Sequence, residues 1–131
     1  MTRTQFGFTL IEVAVVMAVA AILAAVAIPN YSEYVMRSHR SEAQSFISDV
    51  ASRQSQFFLD RRSYAATVGA LNMAAPAELA ARYTVAIAVV AGPPSGFQVT
   101  ATPIGVQGTD RCGLLTIDQA GNRTAVGTRC W

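Results

Sequence analysis

Few residues in this 131-residue chain have a type and spacing that could support chemistry. The single histidine, His39 in "RSHR", has no cysteine or carboxylate at ligand spacing, and it reads as a solvated residue on the polar side of a helix. Asp110 and Asp118 flank Cys112 in or beside a strand, where solvated turn residues explain them better than a metal site does. There is no phosphate loop, no GxGxxG, no HExxH and no serine or cysteine in a nucleophile motif. The expectation is a chain that is not an enzyme, with no catalytic residue, no cofactor and no metal.

The arginines and cysteines remain. All ten basic residues are arginine, against eight acidic ones, for a net charge of +2. Arg37 with Arg40, and Arg61 with Arg62, form small basic clusters of a kind that can contact nucleic acid or anionic lipid. Glu33, Glu42, Asp49 and Asp60 interleave with them and no aromatic side chain stands ready to stack. A solvated mixed-charge helix face is therefore the favoured reading, and DNA binding is not. Cys112 and Cys130 either stay as two buried thiols or form a disulfide. Such a bond would stabilise the fold by about 3 kcal/mol in the chain-entropy model and would need an oxidising compartment.

The least ordinary charge is Glu12 in "GFTLIEV", Gly7 to Val13. It stands at the head of a segment in which every residue from Val13 to Ile28 is Ala, Val, Ile, Leu or Met. With Phe8 to Glu12 in front, this reaches the roughly 20 residues that span a hydrocarbon core as a helix. Locally, Thr9-Leu10-Ile11-Glu12 fits a capping box, with Phe8 and Val13 as its hydrophobic staple and the helix dipole favouring a carboxylate there. An ionised carboxylate at lipid depth still calls for a partner.

The elements around these residues follow from periodicity. Charged residues make up 14% of the chain against 52% hydrophobic, and most of that excess lies in the N-terminal segment. Pro29 in "IPNY" should kink or locally break the helix. Beyond it Ala43, Phe46, Ile47, Val50, Phe57 and Phe58 make an amphipathic stripe. A helix from about Phe8 to Asp60 would be roughly 80 Å long, too long for so small a domain to bury, so its first half must project. Arg61 to Ala81 read as a loop with a short helical turn. "YTVAIAVV" (Tyr83 to Val90), the turn "GPPSG" and "FQVTATPI" make a hairpin, followed by "CGLLTID" and "RTAV". The expected fold class is α+β, one long helix laid through its C-terminal half on a small antiparallel sheet of three to four strands.

Two readings of the N-terminus go beyond its local geometry. A secretory signal peptide would use Arg3, the core Val13 to Ala24 and cleavage at "AVA", releasing a soluble periplasmic binding domain near Ile28 and leaving Glu12 unexplained. Alternatively, "GFTLIEV", the apolar segment, "AIPNY" and the amphipathic helix together resemble the N-terminus of a type IV pilin precursor. The final region, "CGLLTIDQAGNRTAV" with the closing "CW", is similar to PilE-type minor pilins.

That resemblance implies a prepilin leader at 1–7, a transmembrane and filament-core helix at 8–28 and a globular domain at 29–131. It implies cleavage after Gly7 by a prepilin peptidase, N-methylation of Phe8, an assembly role for Glu12 and a disulfide between Cys112 and Cys130. The implied function is a structural subunit, a minor pilin, of a pilus used in twitching motility, adhesion or DNA uptake. Other pilin subunits and an inner-membrane assembly machine are the implied partners. The precursor would sit in the inner membrane with a cytoplasmic N-terminus, and the assembled subunit in an extracellular filament. A type II secretion pseudopilin shares the N-terminal pattern but commonly lacks the cysteine pair. Arg37 and Arg40, placed after the span, run against the usual positive-inside bias, from which long translocated domains are largely exempt.

Overall fold

The structure, a computed structural model, describes residues 7–131, with the side chains of 29 and 30 left aside. Helix α1 runs from Leu10 to Arg61, 52 residues. Its backbone is helical on both sides of Pro29 and through it. The chain divides into two compact units between Val35 and Met36, so α1 belongs partly to each.

In the unit from Met36 onward, α1 is followed by a 3-10 turn at Gly69–Leu71 and the short helix α2 at Ala77–Ala80. Four strands then form one antiparallel sheet in sequence order: β1 (Tyr83–Val90), β2 (Gly96–Pro103), β3 (Leu115–Asp118) and β4 (Arg123–Ala125). A 3-10 segment at Gly105–Thr109 joins β2 to β3. The β1–β2 register runs unbroken from Tyr83 opposite Pro103 to Val90 opposite Gly96.

The core forms where the stripe of α1 meets one face of the sheet. Ala43, Ile47 and Val50, spaced four and three residues apart, are all fully buried. The period of two on β2 supplies Phe97, Val99 and Ala101, and β3 adds Leu115 and Ile117. Burying such side chains is worth about 1.5–3 kcal/mol each. Phe46 and Phe57 pack at the rim of this cluster, while Tyr64 bridges Phe58 and Phe97 with ring centroids 4.7 and 4.9 Å away.

A polar side chain ties the loop to the helix. Gln54 is fully buried, donates from Nε2 to the Ala65 carbonyl (2.6 Å) and accepts from the Ala65 N–H (2.9 Å). Both ends of its amide are satisfied by one residue's backbone, so it pins the start of the loop at little desolvation cost.

Candidate functional site

Two regions carry the features that could act beyond folding. The first is the head of α1. The Glu12 N–H donates to Thr9 Oγ1 at 3.3 Å, and the Thr9 N–H donates to Glu12 Oε2 at 3.5 Å. This is the reciprocal capping box read from the sequence, and it satisfies two backbone donors that a helix start otherwise leaves open. Gly7 and Phe8 precede it, both exposed. Residues 1–6, the body of the expected leader, lie outside the described residues.

The apolar segment behind the cap is exposed along its whole length. Every large hydrophobic side chain from Phe8 to Ile28 is more than half exposed, from 51% at Val13 to 89% at Leu10. Its most apolar window has a mean hydropathy of 2.7 with no part buried, and the helix is long and apolar enough to cross a membrane. Leaving such side chains in water forgoes about 1.5–3 kcal/mol apiece, so the segment calls for a lipid or protein cover.

The second region surrounds the disulfide. Cys112 and Cys130 are bonded, both buried, and no free cysteine remains. Helix α1 holds the two ends of the loop they close. Arg40 Nη1 donates to Asp110 Oδ1 at 2.7 Å, and the same oxygen accepts the Cys112 N–H at 3.1 Å. One turn further along α1, Gln44 Nε2 donates to the Cys130 carbonyl. Gln107 closes the network: its Nε2 lies 3.2 Å from Asp110 Oδ2, 3.0 Å from the Tyr83 hydroxyl and 3.1 Å from the Met36 carbonyl. Burial pushes the Tyr83 hydroxyl above its ordinary value, with the Gln107 hydrogen bond pulling the other way. At Gly127 a Cβ would lie 2.6 Å from the Arg111 carbonyl, so only glycine lets the returning segment pass this close.

This network corrects two expectations. Arg40 is not part of a solvated mixed-charge face: it is 6% exposed and ion-paired. Asp110 is not a solvated turn residue either but is 8% exposed. Their separation of 70 positions hid the pairing. A usable signal existed for the helix residues, since Arg40 and Gln54 fall on the spacing of Ala43, Ile47 and Val50 and so belong to the buried stripe. Asp118 does behave as a turn residue: its carboxylate accepts from Asn122 Nδ2 and from the Asn122 and Ala120 N–H groups. Those bonds, the Asn122 side chain's first, hold it below the usual carboxylate range. His39 is half-buried.

Beside the disulfide, Arg37, Ser41, Gln44, Arg111, Arg129 and Trp131 line a concave surface of about 470 Å³. The Arg123 guanidinium stands 5.2 Å from the centroid of the Trp131 ring, whose Nε1 donates to the Thr124 carbonyl at 2.9 Å. Arg111 and Arg129 take part in no ion pair among the described residues. The sequence reading passed over these arginines because they are scattered along the chain and gather only around the disulfide.

A capped, exposed apolar helix continuing into a helix-on-sheet unit with a C-terminal disulfide defines the class of type IV pilins. Comparison with known proteins agrees: residues 2–28 match the prokaryotic N-terminal methylation motif. Residues 29–116 match the family model described as "Type IV minor pilin ComP, DNA uptake sequence receptor", and the chain belongs to that family. Fimbrial protein EcpC of Eikenella corrodens is 36% identical over 100 residues, 76% of this chain and 63% of that protein. A fimbrial protein of Neisseria meningitidis serogroup B is 33% identical over 92 residues, 70% of this chain and 54% of that one. The chain thus spans less than two thirds of the length of these relatives. The solved structure of a type IV pilin from Shewanella oneidensis superposes with a TM-score of 0.58 at 25% identity, covering 73% of this chain and 97% of that one.

Proposed function

We propose that this chain is a minor type IV pilin, a structural subunit made as a membrane-anchored precursor and assembled into an extracellular filament. The observation that carries this reading is the apolar segment Phe8 to Ile28, exposed on every side behind a capped Glu12. Lipid covers it before assembly, and the equivalent helices of neighbouring pilins cover it afterwards. Hydrocarbon tails and packed apolar helices are similarly apolar, so the transfer is near neutral and an assembly machine must give it direction.

Processing completes the site. Cleavage after Gly7 by a prepilin peptidase creates an amine on Phe8, which is then N-methylated. In a bundle of stacked helices that cation on one subunit meets Glu12 of the next, and each offsets the other's burial cost. A subunit out of axial register would bury both charges unpaired, so Glu12 sets the stagger as well as capping its own helix. Pro29 supplies a place where the helix can bend as it leaves the filament core. The test is Glu12→Ala: the protein should be processed and stay in the membrane while its abundance in sheared filaments collapses. Entry at wild-type abundance would sink the assembly role.

A second reading, DNA capture by the globular unit, is favoured by the basic concavity around the disulfide and by the description of the matching family. The supporting residues are Arg111, Arg129 and Trp131, with Arg37 on the same concave surface, and not the cluster at Arg61 and Arg62. Phosphate contacts make affinity fall with salt, at a slope of about 0.9 per phosphate contacted. Removing both arginines with Arg111→Ala and Arg129→Ala should lower the slope by roughly 2. An unchanged slope and affinity would remove this surface from the reading.

A further inference from the structure

The sheet ends on one side in β1, and this edge lacks the usual protection. Tyr83–Val90 contains no charged residue and no proline, and its register with β2 is unbroken by a bulge. Among the described residues, no hydrogen bond from outside the sheet ends on its backbone. Natural sheets blunt such edges with lysine, proline, bulges or a covering segment, because an open row of N–H and C=O groups is a template for another strand.

We propose that this edge pairs with β1 of a second copy of the same chain, antiparallel about a two-fold axis at Ile87. The sequence Val85-Ala86-Ile87-Ala88-Val89 reads the same in both directions. Centred on Ile87, an antiparallel pairing sets Ile87 opposite itself, Ala86 opposite Ala88 and Val85 opposite Val89, like against like and with no charge opposed.

The hydrogen-bond phase agrees. The Ile104 N–H donates to the Arg82 carbonyl at 2.8 Å, continuing the ladder past Tyr83 opposite Pro103. Residues 82, 84, 86, 88 and 90 therefore turn their backbone groups toward β2, and 85, 87 and 89 turn theirs outward. A two-fold at Ile87 makes 87 with 87, and 85 with 89, the hydrogen-bonded pairs. The side chains suit the same arrangement: Val89 is 42% exposed, Ala86 and Ala88 are open to solvent, and Val85 and Ile87 are half-buried and would extend the core face across the junction.

A single strand pair falls short of the roughly 1,000 Å² of a stable interface, so each contact is weak and gains strength where many copies are arrayed. A two-fold normal to the sheet also reverses the part of α1 that packs on it. On the filament reading proposed above, subunits of one filament share a polarity, so the contact joins subunits of different filaments running in opposite directions.

Ala86 and Ala88 form the closely spaced, non-hydrogen-bonded pairs, with Cα atoms about 4.5 Å apart, inside the range for a disulfide. Full-length protein in detergent, carrying either Ala86→Cys or Ala88→Cys, would be oxidised mildly, each alone and the two mixed. The expected result is several-fold more 86-to-88 cross-link in the mixture than of either like pair. Adding Val89→Lys should suppress it, with the Cys112–Cys130 bond and the melting curve unchanged. Association through the apolar helix alone gives no such preference, so failure of this contact and failure of the filament reading are distinguishable. Equal yields in all three samples, no cross-link in the mixture, or indifference to Val89→Lys would overturn the proposal.

Discussion

The two halves of α1 share a backbone conformation and differ in everything that covers them. From Val13 to Ile28 the helix is apolar all round and exposed all round. From Arg40 onward, Ala43, Ile47, Val50 and Gln54 lie on one buried stripe, with charged residues such as Asp49 and Arg53 on the other side. Forming a helix and burying one are separate matters: the first half satisfies its own backbone through its own ladder and so can pass between lipid and protein partners. The second half must match one particular sheet, and polar residues in its stripe must find one particular partner each.

This contrast fails if substitutions in the second half leave the globular unit's stability unchanged, or if substitutions in the first half alter it. The largest expected effect is Arg40→Ala, which strands Asp110 in the interior and should cost about 3–5 kcal/mol by thermal or denaturant unfolding. Replacing both Arg40 and Asp110 by apolar residues of similar volume should restore much of the loss. Cys130→Ser releases the C-terminal loop and should cost about 3 kcal/mol in the same assay. Gln54→Ala leaves the Ala65 N–H and carbonyl unpaired, a loss of about 1–3 kcal/mol.

A smaller effect reports on the network through pH. Burial raises the Tyr83 hydroxyl above its ordinary 10.0, so the folded chain favours the neutral phenol. Its contribution is complete below the unfolded value and is lost as pH rises through the folded one. Stability should therefore decline on the alkaline side of 10.0, and Tyr83→Phe should flatten that decline. At the bottom of the scale, Val19→Ala should leave the melting of the globular unit unmoved, because Val19 belongs to the other compact unit and is half exposed.

The sequence was most legible where the information is local. Helix length, the capping box at Thr9 and Glu12, the alternation in β1 and β2 and the stripe at Ala43, Ile47 and Val50 all follow from neighbours within a few positions. The ion pair of Arg40 with Asp110 and the gathering of Arg111, Arg129 and Trp131 depend on long-range closure and were not legible as pairs. Charge type misled at Arg40: a charged side chain on a helix is usually solvated, and only its phase with the apolar stripe argued otherwise.

On the proposed function, the exposed first half of α1 is kept in the mature subunit as its assembly surface. Mass spectrometry of the protein from sheared surface filaments tests this most directly. The mature chain should begin at Phe8, carry one added methyl group on its amine and retain everything through Trp131. A mature chain beginning near Ile28 and found free in the periplasm, with the apolar helix removed, would contradict it.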